Sequence, residues 1–333
     1  MLHCHFKAPQ RQDDPSVLSG RREGEEGMAE PAQLADSSPL AAYEALRDRA
    51  DQAVLRGDLT AARPLLEQAL ALAEELGDSD LRDRALCNLA AVLVETGEGA
   101  SVLTALRSVL MRNHDELNCY LAAYALARTH DLNQDYKKAI FYARIGLDRV
   151  QRLDMPQRTA TCHMLMGNLL LAESHLAEAC AEYELALAAT EELPALHLAL
   201  ILDNVGYCRL LKGRHAEGFR FLFRSLRILR RLGARAYQRG PQLSLAFGYL
   251  EIGRHHRAVQ HGFTALRLAE EVGDDQTVKN ALYLLGEAAN EIGSPDDARR
   301  CWQALQRRFY PGQERLAEAL MTVGVRRLLN LRA

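Results

Sequence analysis

The sequence has few aromatic residues, 6% of 333 with a single Trp, and no apolar run near the ~18 residues of a membrane span. Its seven cysteines, at 4, 87, 119, 162, 180, 208 and 301, form no Cys-x-x-Cys pair. An odd, scattered set in a long chain argues against a disulfide framework and for a reducing compartment. The opening MLHCHFKAPQRQDD has no apolar segment of a secretory signal, so a cytoplasmic location is expected, with no membrane contact. Phosphate loops, dinucleotide fingerprints, HExxH and GxSxG are all missing, and no nucleophile, base and orienting group stand together. A non-enzymatic protein without a cofactor is therefore expected. His255, His256 and His261 in RHHRAVQH are spaced one and five apart, which puts His256 and His261 on different helix faces. The HCHF window near the start is too short to form a four-ligand structural site by itself, so no metal is expected.

What the chain does have is Ala, Leu, Glu and Arg in excess, a composition that favours helix. Residues 1–39 differ: Pro9, Pro15, Pro31 and Pro39 stand among Gly and Ser with no helical period, and the segment reads as disordered, with Met28 as an alternative start. From about residue 40 the sequence repeats. Turn positions fall at Gly57, Gly97, Gln134, Ser174, Gly213, Gly253 and Gly293, spaced by 37 to 40 residues. A small residue lies seven before each: Ala50, Ala90, Ala127, Gly167, Gly206, Ala246 and Gly286. Another lies five after most: Ala62, Ala139, Ala179, Gly218, Ala258 and Ala298. Small residues at both places allow two antiparallel helices to approach closely. In the second copy Val102 replaces the small residue after the turn.

This pattern resembles the tetratricopeptide repeat family. The copy HMLMGNLLLAESHLAEACAEYELAL carries Gly167, Leu170, Leu176, Ala179, Tyr183 and Ala186 at the signature places, and ALYLLGEAANEIGSPDDARRCWQAL carries Leu282, Gly286, Ala298 and Trp302. The usual period is ~34 residues; a period near 40 implies longer helices, as in the regulator and scaffold branch. The resemblance implies an all-α fold, a right-handed superhelix of about seven helical hairpins over 40–312, closed by a capping helix over 313–333. Within that cap Leu316, Leu320 and Val323 are expected to cover repeat seven, with Leu328, Leu329 and Leu331 beyond them.

Two surfaces follow from the same register. In this family first-helix side chains line a concave groove, and Asn amides there bond an extended peptide because each offers a donor and an acceptor. The matching places hold Arg84, Asn88, Arg128, Asn168, Asn204, Tyr207, Asn280 and Tyr283, with Glu287 further along. The Lys-Asn-Asn-Lys-Arg set of chaperone-binding relatives cannot be placed. The second surface lies in FRFLFRSLRILRRLG, residues 219–233. Its Phe-Arg-Phe-Leu-Phe start suggests a base-stacking strand, but the register makes it the second helix of repeat five. Phe219, Leu222, Phe223, Leu226 and Leu229 then share a core face, and Arg220, Arg224, Arg227 and Arg231 share another, with Arg235 just beyond. Residues 205–261 contain twelve Lys or Arg against Glu217 and Glu251, a local charge of +10; the whole chain is at −3, which leaves −13 elsewhere. The expected partner is another protein, as a peptide, tail or helix in the groove. The basic patch fits an acidic protein surface, nucleic acid, or the acidic part of a second copy. A peptide-sensing regulator and a nucleic-acid-contacting subunit are the alternatives to a scaffold or adaptor.

Overall fold

The computed structural model describes residues 38–322 apart from 56–57, 113 and 189–193. The segment expected to be disordered lies outside this range except at its end, where the first helix begins at Pro39. No strand occurs among the described residues. The chain divides into two compact units between residues 135 and 136, inside the third hairpin of the repeat. The first unit holds α1 (Pro39–Leu55), α2 (Leu59–Glu75), α3 (Ser79–Glu95), α4 (Leu103–Arg112) and α5 (Glu116–Leu132). The second holds α6 (Tyr136–Arg152), α7 (Pro156–Ala172), α8 (Leu176–Ala188), α9 (Ala195–Leu211), α10 (His215–Arg231), α11 (Arg239–Glu251), α12 (His255–Val272), α13 (Asp275–Ile292), α14 (Pro295–Phe309) and the short α15 (Leu316–Thr322). In each unit successive helices pack side by side as an all-α helical repeat.

One local device ends the first helix of each hairpin. At the turns Gly97, Gln134, Ser174, Gly213, Gly253 and Gly293 the backbone is left-handed, with φ between 59° and 85°. The N–H of the following residue then donates to the carbonyl five residues earlier, as in Glu98 to Leu93 (2.7 Å), Asp135 to His130 (2.9 Å), Arg214 to Arg209 (2.8 Å) and Ser294 to Ala289 (2.9 Å). This bond caps an orphan carbonyl and requires positive φ at the turn, which explains the glycines. Gly57 lies outside the described residues. A second set of left-handed turns, Gly77, Asp154, Gly233 and Gly273, separates one hairpin from the next. Asp58, Asp78, Asp115 and Asp274 cap the starts of α2, α3, α5 and α13 by accepting backbone N–H bonds.

The small residues do what their spacing predicts. A Cβ on Gly167 would meet the Tyr183 ring at 2.5 Å, and one on Gly206 would meet Leu222 at 2.8 Å. Gly286 faces Trp302 in the same way, so each large ring or Leu on a second helix sits against a missing side chain on the first. Tyr183, Leu222 and Trp302 are all fully buried. In the second repeat the substituted Val102 has a structural consequence. A 3₁₀ turn over Gly99–Val102 precedes a shortened α4, and Gly99 supplies the close approach instead, against Thr129 of α5. At the C-terminal end Gln306 holds the start of α15, accepting from the N–H of Ala317 (2.9 Å) and donating to the carbonyl of Glu314 (3.1 Å). Leu320 is buried and Leu316 half-buried; Val323 and the later leucines lie outside the described residues.

Candidate functional site

Of the inner-face residues expected to meet a partner, three lie in the first unit. Arg84 stitches α3 to the start of α5: its Nε donates to Asn118 Oδ1 and its Nη2 lies 3.1 Å from Asp115 Oδ1. Arg128 is buried between two carboxylates, 2.9 Å from Glu95 and 3.0 Å from Asp131. Burial alone would lower the Arg128 pKa, but Glu95 and Asp131 outweigh it and keep the guanidinium charged. Burial pushes Asp131, the deeper of the two, up to about 6 against the pull of Arg128. Both arginines therefore have their charge committed inside the unit. Asn88 differs: it is half-buried on α3, and its side chain makes no hydrogen bond among the described residues.

The other five lie in the second unit. Asn168 of α7 is half-buried, and its Oδ1 accepts two bonds, from the Tyr183 hydroxyl (2.7 Å) and from Asn204 Nδ2 (3.3 Å). With the oxygen held from α8 and α9, the side chain is fixed and its amide nitrogen is left with both hydrogens to donate. Asn204, Tyr207, Asn280 and Tyr283 are buried, as is Glu287, so these inner-face positions are closed to solvent rather than lining open space. The Tyr207 ring packs on Phe247, the residue at the same register on the next first helix, with centroids 5.5 Å apart. Twelve consecutive residues of α11, Arg239 to Leu250, are buried. The polar ones among them are satisfied from neighbouring helices. Ser244 donates to Asp203 (2.7 Å), and Arg239 pairs with Asp274 (2.6 Å). Burial would raise the Asp274 pKa, but Arg239 and two bonds from Thr277 more than offset it and hold it below the usual value. His261 sits 2.6 Å from Gln242 Oε1 through Nδ1. Its pKa is lowered by burial and then by Arg257 and Arg230, which makes it a neutral donor.

The outer face of α10 is different in kind. Arg220, Arg224, Arg227 and Arg231 are exposed and have no carboxylate partner among the described residues; Arg220 lies over the Phe221 ring, 5.8 Å from its centroid. Arg235 does not share this state. Its guanidinium takes both carboxylate oxygens of Glu271, at 2.8 and 3.1 Å, a residue ten positions past the end of the basic window. Arg209, Lys212 and Arg214 are likewise paired, with Glu184 and Glu217. Phe223, expected in the core, is 42% exposed at the edge of the arginine stripe. On the helical wheel it lies about 40° from Arg227 and about 60° from Leu226, nearer the surface than Leu222, Leu226 and Leu229. The ring instead starts an aromatic ladder: Phe223 on Phe219 (6.5 Å), Phe219 on Tyr249 (4.7 Å) and Tyr249 on His261 (5.2 Å).

No family model matches the sequence, and no curated protein matches it significantly. Solved structures do match. The apo form of RapI aligns over 87% of this chain and 85% of its own, with a TM-score of 0.59 at 11% identity. Aspartyl phosphate phosphatase F from Bacillus subtilis aligns over 91% and 87%, with a TM-score of 0.51 at 13% identity. The likeness is one of fold. Taken with the capped hairpins and the small residues facing Tyr183 and Trp302, it decides the architecture. The chain has a tetratricopeptide-type helical-repeat fold. In this repeat, Phe247, Asp203 and Ser244 are buried first-helix residues, on α11 and α9, that sequence reasoning missed. Phe247 carried a signal, since it stands six before its turn as Asn168, Tyr207 and Glu287 do; the Asp203–Ser244 bond spans 41 residues and carried none. No described helix is long and apolar enough to cross a membrane.

Proposed function

We propose that the chain is a non-enzymatic protein-interaction module, a scaffold or adaptor that holds a peptide, tail or helix of another protein against the polar inner-face residues of its first helices. The observation that carries this reading is Asn168. An amide whose oxygen is fixed by Tyr183 and Asn204, and whose nitrogen makes no bond in the described protein, is a preset donor for a backbone carbonyl. Asn88 offers the same chemistry in the first unit, there with both donor and acceptor. Asn204 supports Asn168 directly, and Arg84, Arg128, Tyr207, Asn280 and Tyr283 belong to the same set of first-helix positions. The unpaired arginines of α10 form a second contact surface. The test is selection of binding peptides from a displayed random library. Asn168→Ala is expected to weaken the selected peptides about fivefold to tenfold, the size of one lost hydrogen bond of about 1 kcal/mol. Equal affinity for both proteins would reject the inner face as the site.

A regulatory peptide sensor is the second reading, implied by the resemblance of the near-40-residue period to the regulator and scaffold branch of the repeat family. It requires that a bound peptide change the conformation. Small-angle scattering of the free and peptide-saturated protein separates the two: a changed radius of gyration supports the sensor, and identical profiles leave the scaffold.

A further inference from the structure

Several exposed arginines elsewhere in the molecule have acidic neighbours: Arg63 pairs with Glu67 and Glu98, Arg152 with Asp148, Arg299 with Asp296, Arg300 with Asp297 and Arg308 with Asp275. Others, such as Arg49, Arg144 and Arg315, have none among the described residues. What sets α10 apart is that four such arginines share one helix face. Arg220, Arg224, Arg227 and Arg231 run along one line, exposed and without a carboxylate. Like charges three and four apart on a helix repel, so this arrangement is unfavourable in the isolated protein and is relieved by an anionic partner. The line is about 16 Å long, with steps of about 6, 4.5 and 6 Å from the helical rise. Along its edge lies Phe223, 42% exposed.

We propose that the outer face of α10 docks an acidic amphipathic helix of a partner protein, whose carboxylates repeat at the spacing of Arg220, Arg224, Arg227 and Arg231 and whose apolar residues meet Phe223. The inference rests on the protein-interaction reading above and names the partner of its second surface. The uneven 4-3-4 spacing is that of a helix, so a second helix with Glu or Asp at the same spacing matches each guanidinium in turn. An extended peptide presents one face every ~7 Å and drifts out of register by several ångströms over the stripe. A nucleic-acid strand brings evenly repeating phosphates and runs past the stripe's end, onto a chain whose charge outside 205–261 is −13. Serial stacking platforms for bases are also lacking, since α10 exposes one ring to a large extent, Phe223, and it already stacks on Phe219.

The experiment uses the full chain and three probes: a helical peptide with Glu at i, i+4, i+7 and i+11 beside a Leu row, the same residues scrambled, and a twelve-nucleotide single-stranded RNA. Fluorescence anisotropy is read at low and at physiological salt. The ordered peptide is expected to bind at least tenfold more tightly than the scrambled one. Affinity should fall tenfold or more in the Arg220/Arg224/Arg227/Arg231→Glu variant and severalfold in Phe223→Ala. An Arg→Gln version of the fourfold variant, with helix content checked by circular dichroism, guards against misfolding and should lose affinity in the same direction. No saturable binding at low salt, equal binding of the scrambled peptide, or tighter binding of the RNA would overturn the proposal. Asn168→Ala should leave this contact intact, and library peptides bound to the inner face should be indifferent to the α10 variants. Loss of the acidic-helix contact in Asn168→Ala would also overturn the placement on α10.

Discussion

Replacing Gly167 with Ala puts a methyl group 2.5 Å from Tyr183 Cε1 and 2.7 Å from Cδ1. Nothing lets the ring withdraw easily. Tyr183 is 1% exposed, and its hydroxyl is tied to Asn168 Oδ1 at 2.7 Å. Two effects compete. Ala gains up to about 1 kcal/mol over Gly in helix propensity. Overpacking a filled core costs about 1–3 kcal/mol, and a ring forced aside also gives up a hydrogen bond of about 1 kcal/mol. The expected net effect is a loss of about 1–3 kcal/mol, which in a unit of this size lowers Tm by roughly 2–10 °C. Thermal and urea unfolding followed by circular dichroism measure it. The tether enters through a double-mutant cycle: in a Tyr183→Phe background the ring slides more freely, so Gly167→Ala should cost less. The same substitution moves Asn168, so peptides bound at the inner face should weaken along with stability. A Gly167→Ala protein as stable as wild type or more so would refute the close-packing account, because helix propensity alone would then have decided the outcome.

Other expectations follow from single sites. Ser174 and Gln134 hold left-handed φ of 64° and 59° without being glycine. Ser174→Gly should therefore stabilise by about 0.5–1 kcal/mol, while Gly213→Ala, with φ 73°, should cost about 1 kcal/mol in the same unfolding assay. Asp131, raised to about 6, contributes stability that is full below its unfolded value near 3.8 and lost as pH rises through 6. Asp131→Asn should consequently raise Tm at pH 8 and leave it nearly unchanged at pH 4; an equal effect at both values would refute the burial-driven rise of the Asp131 carboxyl. Arg239→Ala leaves Asp274 buried without its cation and should cost about 3 kcal/mol. Arg235→Ala removes an exposed, solvent-screened pair and should leave the unfolding curve nearly unchanged, so the two variants should differ clearly.

The turns of the repeat were legible because a left-handed capping residue leaves glycine as its trace, and even Gln134 and Ser174 could be found by spacing. The second set, Gly77, Gly233 and Gly273, stood twenty residues past the first in plain view, yet only the structure separates turns within a hairpin from turns between hairpins. Close approach was legible as well, since Gly167 and Gly286 point to Tyr183 and Trp302. Register grouped Asn168, Tyr207 and Glu287 at equivalent places on first helices, but it did not give their exposure. Whether Tyr207 or Asn280 is open depends on how tightly neighbouring first helices pack, and the run of small and apolar residues in α11 was the available sign. The basic patch was overcounted for a related reason. Glu271 lies 36 residues from Arg235 in sequence, and a window of local charge cannot see a partner brought in by the next hairpin. Phe223 was misplaced because it lies at the boundary between core and surface arcs, where a helical wheel has no answer without the neighbours.

The most direct measurement is site-specific photo-crosslinking with a library-selected peptide. A benzophenone side chain is placed in turn at Asn88, at Asn168 and at Met111, which is 84% exposed. Adducts mapped by mass spectrometry report which face the peptide touches. The account predicts adducts at Asn168, at Asn88 or at both, and little at Met111; adducts at Met111 alone, or equal yields at all three, would contradict it.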